Sequence, residues 1–243
     1  MRHLFFLLSV SVLFFALSGC TTKDGASPGP SKPVLTASFQ PGVYPDAGYD
    51  GLKDTTIANG TDSNKNHGAC ADLELTAYAT GRVTRTLLKF DLGTEIPSGA
   101  TIKNAHISFH SPLITNNPSF IVMKLPKTWT EGEGNCSGYL APGLENGATW
   151  NDAVPGSSAW DAPGSGASVN AADPKTVSTT GEFTLDLYAS TVQSWLDSPA
   201  DNHGIILRLQ DEAPATDVRL YIKSKESGEA AERPKLVVEY TEP

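Results

Sequence analysis

Arg219, Tyr221 and Lys223 alternate with Leu220 and Ile222. In an extended strand alternate side chains share a face. Burying Leu220 and Ile222 would therefore leave two cations and a phenol in a wet row, about 6.6 to 6.8 Å from one to the next. Lys225 joins the row if the strand runs that far. Arg85 and Lys89 are outward by the same parity on a strand whose inward residues are Thr86, Leu88, Phe90 and Leu92. Arginine grips a carboxylate with two parallel hydrogen bonds, lysine acts as a point charge, and tyrosine offers a face to the apolar side of a sugar ring. Such a row could hold an extended acidic polysaccharide. Arg219, Tyr221, Lys223, Arg85 and Lys89 are thus the candidate ligand-binding residues, forming one basic row if the two strands are neighbours. The plainer reading is a solvated strand face that binds nothing.

Other constellations carry less. Asp62-Ser63-Asn64-Lys65-Asn66-His67-Gly68 has oxygen-bearing side chains at alternate positions, the beginnings of a structural calcium loop. It departs from the calcium-loop pattern, with His67 where the sixth-position glycine belongs and Leu73 where the bidentate glutamate belongs. A turn closed by side-chain to backbone bonds is the simpler expectation, and no cofactor or metal site is assigned. His106 and His110 share a strand face but stand about 13 Å apart, too far to ligate one ion. The sequence has no Gly-x-Ser-x-Gly elbow, no His-Glu-x-x-His and no phosphate-cradling glycine loop, so no residue is singled out as catalytic.

The N-terminal residues carry a different chemistry. Arg2 and His3 precede an apolar run over 4–16, followed by Leu17-Ser18-Gly19-Cys20. That order is the order of an export signal, and the run falls short of the ~20 residues that would span a bilayer. Leu17-Ser18-Gly19-Cys20 looks like a bacterial lipobox, which leads us to expect a signal peptide over 1–19 and lipidation at Cys20. Residues 20–35, rich in Ser, Gly and Pro, read as a flexible tether. The expected product is an exported lipoprotein that meets the membrane through its anchor only, held at the outer membrane if the cell is Gram-negative. The cysteines agree. With Cys20 taken by lipid, Cys70 and Cys136 remain as a pair in an oxidising compartment, and a disulfide between them would close a loop of about 67 residues, worth roughly 4 kcal/mol by chain entropy.

The elements that must position these groups are strands. The chain has 243 residues, 18 Lys and Arg against 27 Asp and Glu, a net charge of −9, 22 Gly and 17 Pro. An acidic chain of this kind is a poor partner for nucleic acid, whose phosphates are held by clustered cations. Period-two alternation recurs in Ala105, Ile107 and Phe109, in Leu220 and Ile222, and in Leu236, Val238 and Tyr240. About ten short antiparallel strands are expected, making an all-β, jelly-roll β-sandwich over residues 36–243. One short helix is expected from Tyr188, Val192, Trp195 and Leu196 at helical spacing, packing across an open end of the sandwich. Between residues 126 and 181 the alternation fails. Trp129, Trp150 and Trp160 lie there, either as an aromatic platform for sugars or, as we favour, as pins that hold a long loop to the core.

Several blocks in order resemble the DNRLRE, or disaggregatase-related, domain family. They are Asp54-Thr55-Thr56-Ile57, Asn64-Lys65-Asn66-His67-Gly68, Arg85-Thr86-Leu87-Leu88-Lys89-Phe90-Asp91-Leu92, Ile96-Pro97-Ser98-Gly99-Ala100-Thr101-Ile102, Trp129-Thr130-Glu131-Gly132, Gly147-Ala148-Thr149-Trp150-Asn151, Val192-Gln193-Ser194-Trp195, Asn202-His203-Gly204-Ile205-Ile206-Leu207-Arg208 and Arg233-Pro234-Lys235-Leu236-Val237-Val238-Glu239-Tyr240. The resemblance implies a jelly-roll module of the carbohydrate-binding type, with acidic polysaccharides such as alginate among its ligands. Here the domain stands alone on its expected anchor, and the Cys70 and Cys136 pair is not part of the motif. The leading expectation is therefore a non-catalytic surface lipoprotein that binds extracellular, acidic polysaccharide. The alternatives are a structural or adhesive envelope protein with protein partners, and a polysaccharide lyase or hydrolase. Oligomeric state is left open.

Overall fold

Among the described residues, alternating apolar residues build fifteen strands, all of them paired antiparallel. The computed structural model describes residues 31–134, 136 and 146–243. The expected signal peptide, Cys20 and the tether up to residue 30 lie outside the described residues. In chain order the strands are β1 (Leu35–Phe39), β2 (Leu52–Ala58), β3 (Asp72–Ala77), β4 (Thr84–Phe90), β5 (Thr101–Ser111), β6 (Leu113–Thr115), β7 (Ser119–Lys124), β8 (Asp152–Val154), β9 (Ser158–Ala159), β10 (Val169–Asn170), β11 (Lys175–Thr176), β12 (Gly181–Leu187), β13 (Ile205–Leu209), β14 (Val218–Lys223) and β15 (Lys235–Thr241). Helix α1 (Ala189–Asp197) follows β12. The compact unit runs Lys32–Pro243. Its edge starts ahead of residue 36 because Leu35 pairs with Tyr240 and Lys32 Nζ donates to the Glu242 carbonyl.

The protein is an all-β sandwich. One layer orders β10, β7, β13, β4 and β2, with β11 also on β7; the other holds the sheet β1–β15–β5–β12. A three-stranded sheet, β3–β14–β6, continues from β5 through Pro112, which has no N–H to extend the ladder. The chain crosses between layers from β4 to β5 and from β12 through α1 to β13, as in a jelly roll. Leu88, Phe90, Phe120, Val122, Ile205 and Leu207 from the first layer share one buried cluster with Ile107, Phe109, Leu185, Leu236 and Val238 from the second. Leu73, Leu75, Leu220 and Ile222 of the small sheet belong to the same cluster. Helix α1 buries Val192 and Trp195 there, and Gln193 caps the start of β5 by accepting from the Ile102 N–H and donating to the Ala100 carbonyl.

The stretch after residue 126 is not without regular structure, since β8 to β11 fall in it. It also builds a second core. Trp129, Ala148, Ala153 and Trp160 cover Ile57, Leu87, Met123 and Ile206, which point out of the other face of the six-stranded sheet. Around Ile206 the sheet is therefore covered on both faces, which accounts for the unbroken apolar run Ile205-Ile206-Leu207. Among the described residues no helix is long and apolar enough to cross a membrane.

Candidate functional site

Strand β14 lies between β3 and β6, and register decides which residues share its face. Arg219 stands opposite Thr76 and Thr115, Tyr221 opposite Glu74 and Leu113, and Lys223 opposite Asp72. Leu220 and Ile222 are fully buried, so Arg219, Tyr221 and Lys223 do face outward, each partly exposed. Leu113 is 37 % exposed beside Tyr221, an apolar neighbour that the sequence did not indicate. The strand ends at Lys223. Lys225 therefore leaves the row and turns inward, its Nζ 2.8 Å from Glu131 Oε2.

The cations of this face are paired. Arg219 lies 2.7 Å from Asp217 and Lys223 lies 2.9 Å from Asp72. At the end of β3 the chain turns back through Tyr78 to Arg82, where Gly81 takes the positive φ of 90° that the turn needs. This turn sets the Tyr78 ring against two guanidinium groups, Arg219 at 4.8 Å and Arg82 at 5.6 Å from its centroid. Arg82 in turn contacts Glu74 and Asp62 at 3.4 and 3.3 Å. Burial, followed by the charge of Glu74 and the neighbouring Tyr78, pushes the Tyr221 hydroxyl up to about 12. The face is a charge-balanced strip with two tyrosines and a leucine. Ala69, Cys70, Ala71, Asp72, Glu74, Cys136 and Tyr221 border an open concavity of about 420 Å³ at one margin. The Cys70–Cys136 disulfide, with Cα atoms 5.2 Å apart, fixes that margin.

Arg85 and Lys89 do not extend the strip. Their strand, β4, pairs with β2 and β13 in the six-stranded sheet, whereas β14 belongs to the small one. Arg85 is bound up by a two-pronged bond to Glu212 at 2.8 and 2.7 Å, by the Gly164 carbonyl, and by the Trp150 ring at 4.6 Å from its centroid. It serves as a clamp for the long loop. Lys89 faces Lys53 across the strand pair, and desolvation together with that like charge lowers its pKa. Arg85 and Lys89 therefore do not form one continuous basic row with Arg219, Tyr221 and Lys223. Trp129 and Trp160 act as pins: Trp129 Nε1 donates to the His203 carbonyl and Trp160 Nε1 to the Thr149 carbonyl, both rings being buried, while the half-buried Trp150 lies under Arg85.

The side-chain oxygens of Asp62, Asn64 and Asn66 in the 62–68 loop are committed to ion pairs and hydrogen bonds. Asp62 holds Lys65 and Arg82, and Asn64 Oδ1 accepts from Asn151. Asn66 is buried; its Nδ2 donates to the carbonyls of Glu131 and Ala148, and its Oδ1 accepts from the N–H groups of Gly68 and Gly134. A side chain at Gly132, Gly134 or Gly147 would collide with Asn66. His67 lies beside Cys70 and Cys136, but the disulfide takes both thiols out of any ligand set.

A second constellation escaped the sequence reading. Asp54 of β2, Glu131 of the loop after β7 and Glu226 of the turn after β14 bring carboxylate oxygens within 4.8 Å of one another. Glu131 Oε1 accepts from the Asp54 N–H at 2.7 Å, and Asp54 Oδ2 accepts from the Lys225 N–H at 2.9 Å. Burial raises all three carboxyl groups, Asp54 most plainly, with Glu226 adding to its shift. The available signal was parity: Asp54 shares its side of β2 with Leu52, so an acid stood at an inward position. No family model matches the chain, and no curated protein matches it either.

Proposed function

We propose that the outward face of β3–β14–β6 binds an extracellular polysaccharide without cleaving it, on a lipoprotein displayed from an anchor at Cys20. The observation that carries the reading is the strip itself: Tyr221 and Leu113 side by side, flanked along β14 by Arg219 and Lys223, each held in place by a carboxylate. Aromatic and apolar surface suits the hydrogen-bearing face of a pyranose. Fixed pairs of guanidinium or ammonium with carboxylate suit vicinal hydroxyls, because donor and acceptor stand together. Groups placed on strands are also held more exactly in position than groups on loops. The disulfide and the order of residues around Cys20 support an exported setting. The resemblance to DNRLRE domains supports the ligand class.

An acidic polymer is the class we favour. Its carboxylates would take Arg219 and Lys223 from Asp217 and Asp72, an exchange of partners rather than a gain of wholly new ones, so hydroxyl contacts and stacking carry a large share of the affinity. Affinity electrophoresis through gels cast with a uronate polymer or with a neutral glucan tests this. The wild-type protein should be retarded by the uronate gel, and the Arg219→Ala, Tyr221→Ala, Lys223→Ala triple variant should migrate freely. Equal retardation of the two proteins, or none for the wild type on any polymer, overturns the site.

A further inference from the structure

We infer that Asp54, Glu131 and Glu226 form an interior binding site for a divalent cation, calcium before magnesium, that ties the turn after β14 to β2. The three carboxylates come from three segments distant in sequence, yet their oxygen atoms converge within 4.8 Å. Convergence alone would not make a site. The second observation is that Asp54, a member of the cluster only 1 % exposed, has an Oδ1 with no hydrogen-bond donor, and that Glu226 Oε2 is likewise buried without one. A buried carboxylate oxygen with no donor is costly, and two in one cluster call for a shared electrophile.

Charge and geometry then choose the ion. With an ion bound and all three carboxyls ionised, the ammonium of Lys225, the cation in direct contact with Glu131, leaves two negative charges in the cluster, the complement of a divalent cation. All the donors are hard oxygens and none is imidazole or thiolate, which disfavours zinc and copper. The oxygens lie within 4.8 Å of one another, close enough to share one ion. Calcium takes about six to eight oxygens in a flexible shell, whereas magnesium demands near-ideal octahedral geometry and gives up its waters reluctantly, so an irregular set of three carboxylates completed by water suits calcium better. Glu131 is preset for the task by Asn66, which binds its carbonyl, and by the Asp54 N–H, which binds its Oε1. Entry is provided by a separate concavity of about 410 Å³ where Lys225 and Glu226 face Tyr49, Asp50 and Arg233. Lys225 Nζ lies 3.8 Å from Asp50, which can take the ammonium as the ion enters. Water arriving by the same route would complete the coordination shell. The site stands apart from the glycan strip and does not depend on it.

The experiment uses the purified full chain, stripped with a chelator, and follows calorimetric titration and thermal midpoint with calcium chloride and with magnesium chloride. The expected result is saturable binding of one calcium ion, tighter than magnesium, with the midpoint raised by about 5–10 °C at a hundredfold excess over Kd. Asp54→Asn keeps an acceptor for the Lys225 N–H, and Glu226→Gln changes a partly exposed side chain. Each should weaken calcium binding about tenfold or more, and should one variant fail to fold, the other still decides. Absence of saturable binding up to about 10 mM of either ion, a range that covers weak extracellular sites, overturns the inference. Undiminished binding in the folded variants overturns it equally, because the ion would then sit elsewhere.

Discussion

Tyr78 lies against both Arg82 and Arg219, and each of those arginines reaches a carboxylate; at the scale of single residues the cations of this strip are already matched. Asp217, one residue ahead of β14, pairs with Arg219 close by in sequence. The pair Asp72 and Lys223 was not legible in the sequence, because it depends on the register between β3 and β14. His67 shows the same dependence on packing. Burial depresses its pKa to about 4, with Arg82 and Lys65 pushing the same way and Asp62 opposing them. Its Nε2 is buried without a partner. A folded-state value below the ordinary 6.5 means that between pH 6.5 and 4 the unfolded chain binds a proton that the folded chain refuses. Stability from this group is therefore complete above pH 6.5 and falls as pH drops towards 4, by about 2 kcal/mol after allowing for partial exposure. Urea denaturation at pH 7.5 and pH 4.5 should show that loss in the wild type and a smaller one in His67→Gln. Equal losses in the two proteins would contradict it.

Strand parity made most of the elements readable. Leu220 and Ile222 inward, Arg219 and Tyr221 outward, required only the period of two, and the stripe Val192 and Trp195 sufficed for α1. The stretch from 126 to 181 was opaque because its order is tertiary. Strands of two or three residues give no period, and its apolar side chains are spaced by the shape of the sheet they cover. What did read through was chemistry: tryptophans in an irregular segment, each needing a partner for its indole N–H and a place to bury its ring. The same reasoning separates pin from platform by experiment. Trp160→Ala should lower unfolding free energy by about 3–5 kcal/mol and leave glycan retardation of the folded protein unchanged. A stable variant that no longer binds glycan would make Trp160 part of the ligand site instead. Asp54 was legible as an inward acid, but its companions Glu131 and Glu226 lie 77 and 172 positions further on and are joined to it only by the crossing of the chain between layers.

As a whole the molecule is acidic, with a net charge of −9, and it presents on β3–β14–β6 a strip in which three carboxylates, those of Asp72, Glu74 and Asp217, are balanced by Arg82, Arg219 and Lys223. That local neutrality in a negative field is what would let an anionic chain approach here rather than elsewhere. Many copies displayed on one surface, as the proposed anchor would allow, would add avidity to a modest single-site affinity. The central claim, that this strip meets the glycan, is tested most directly by calorimetric titration of a uronate oligosaccharide into the wild type, Tyr221→Ala and, as a control, Tyr44→Ala, whose ring is exposed on the turn after β1. The account predicts that Tyr221→Ala loses about tenfold or more in affinity, in line with the ~1–3 kcal/mol of a stacking contact, with its melting temperature little changed and Tyr44→Ala indistinguishable from wild type. Unaltered affinity in folded Tyr221→Ala would contradict it.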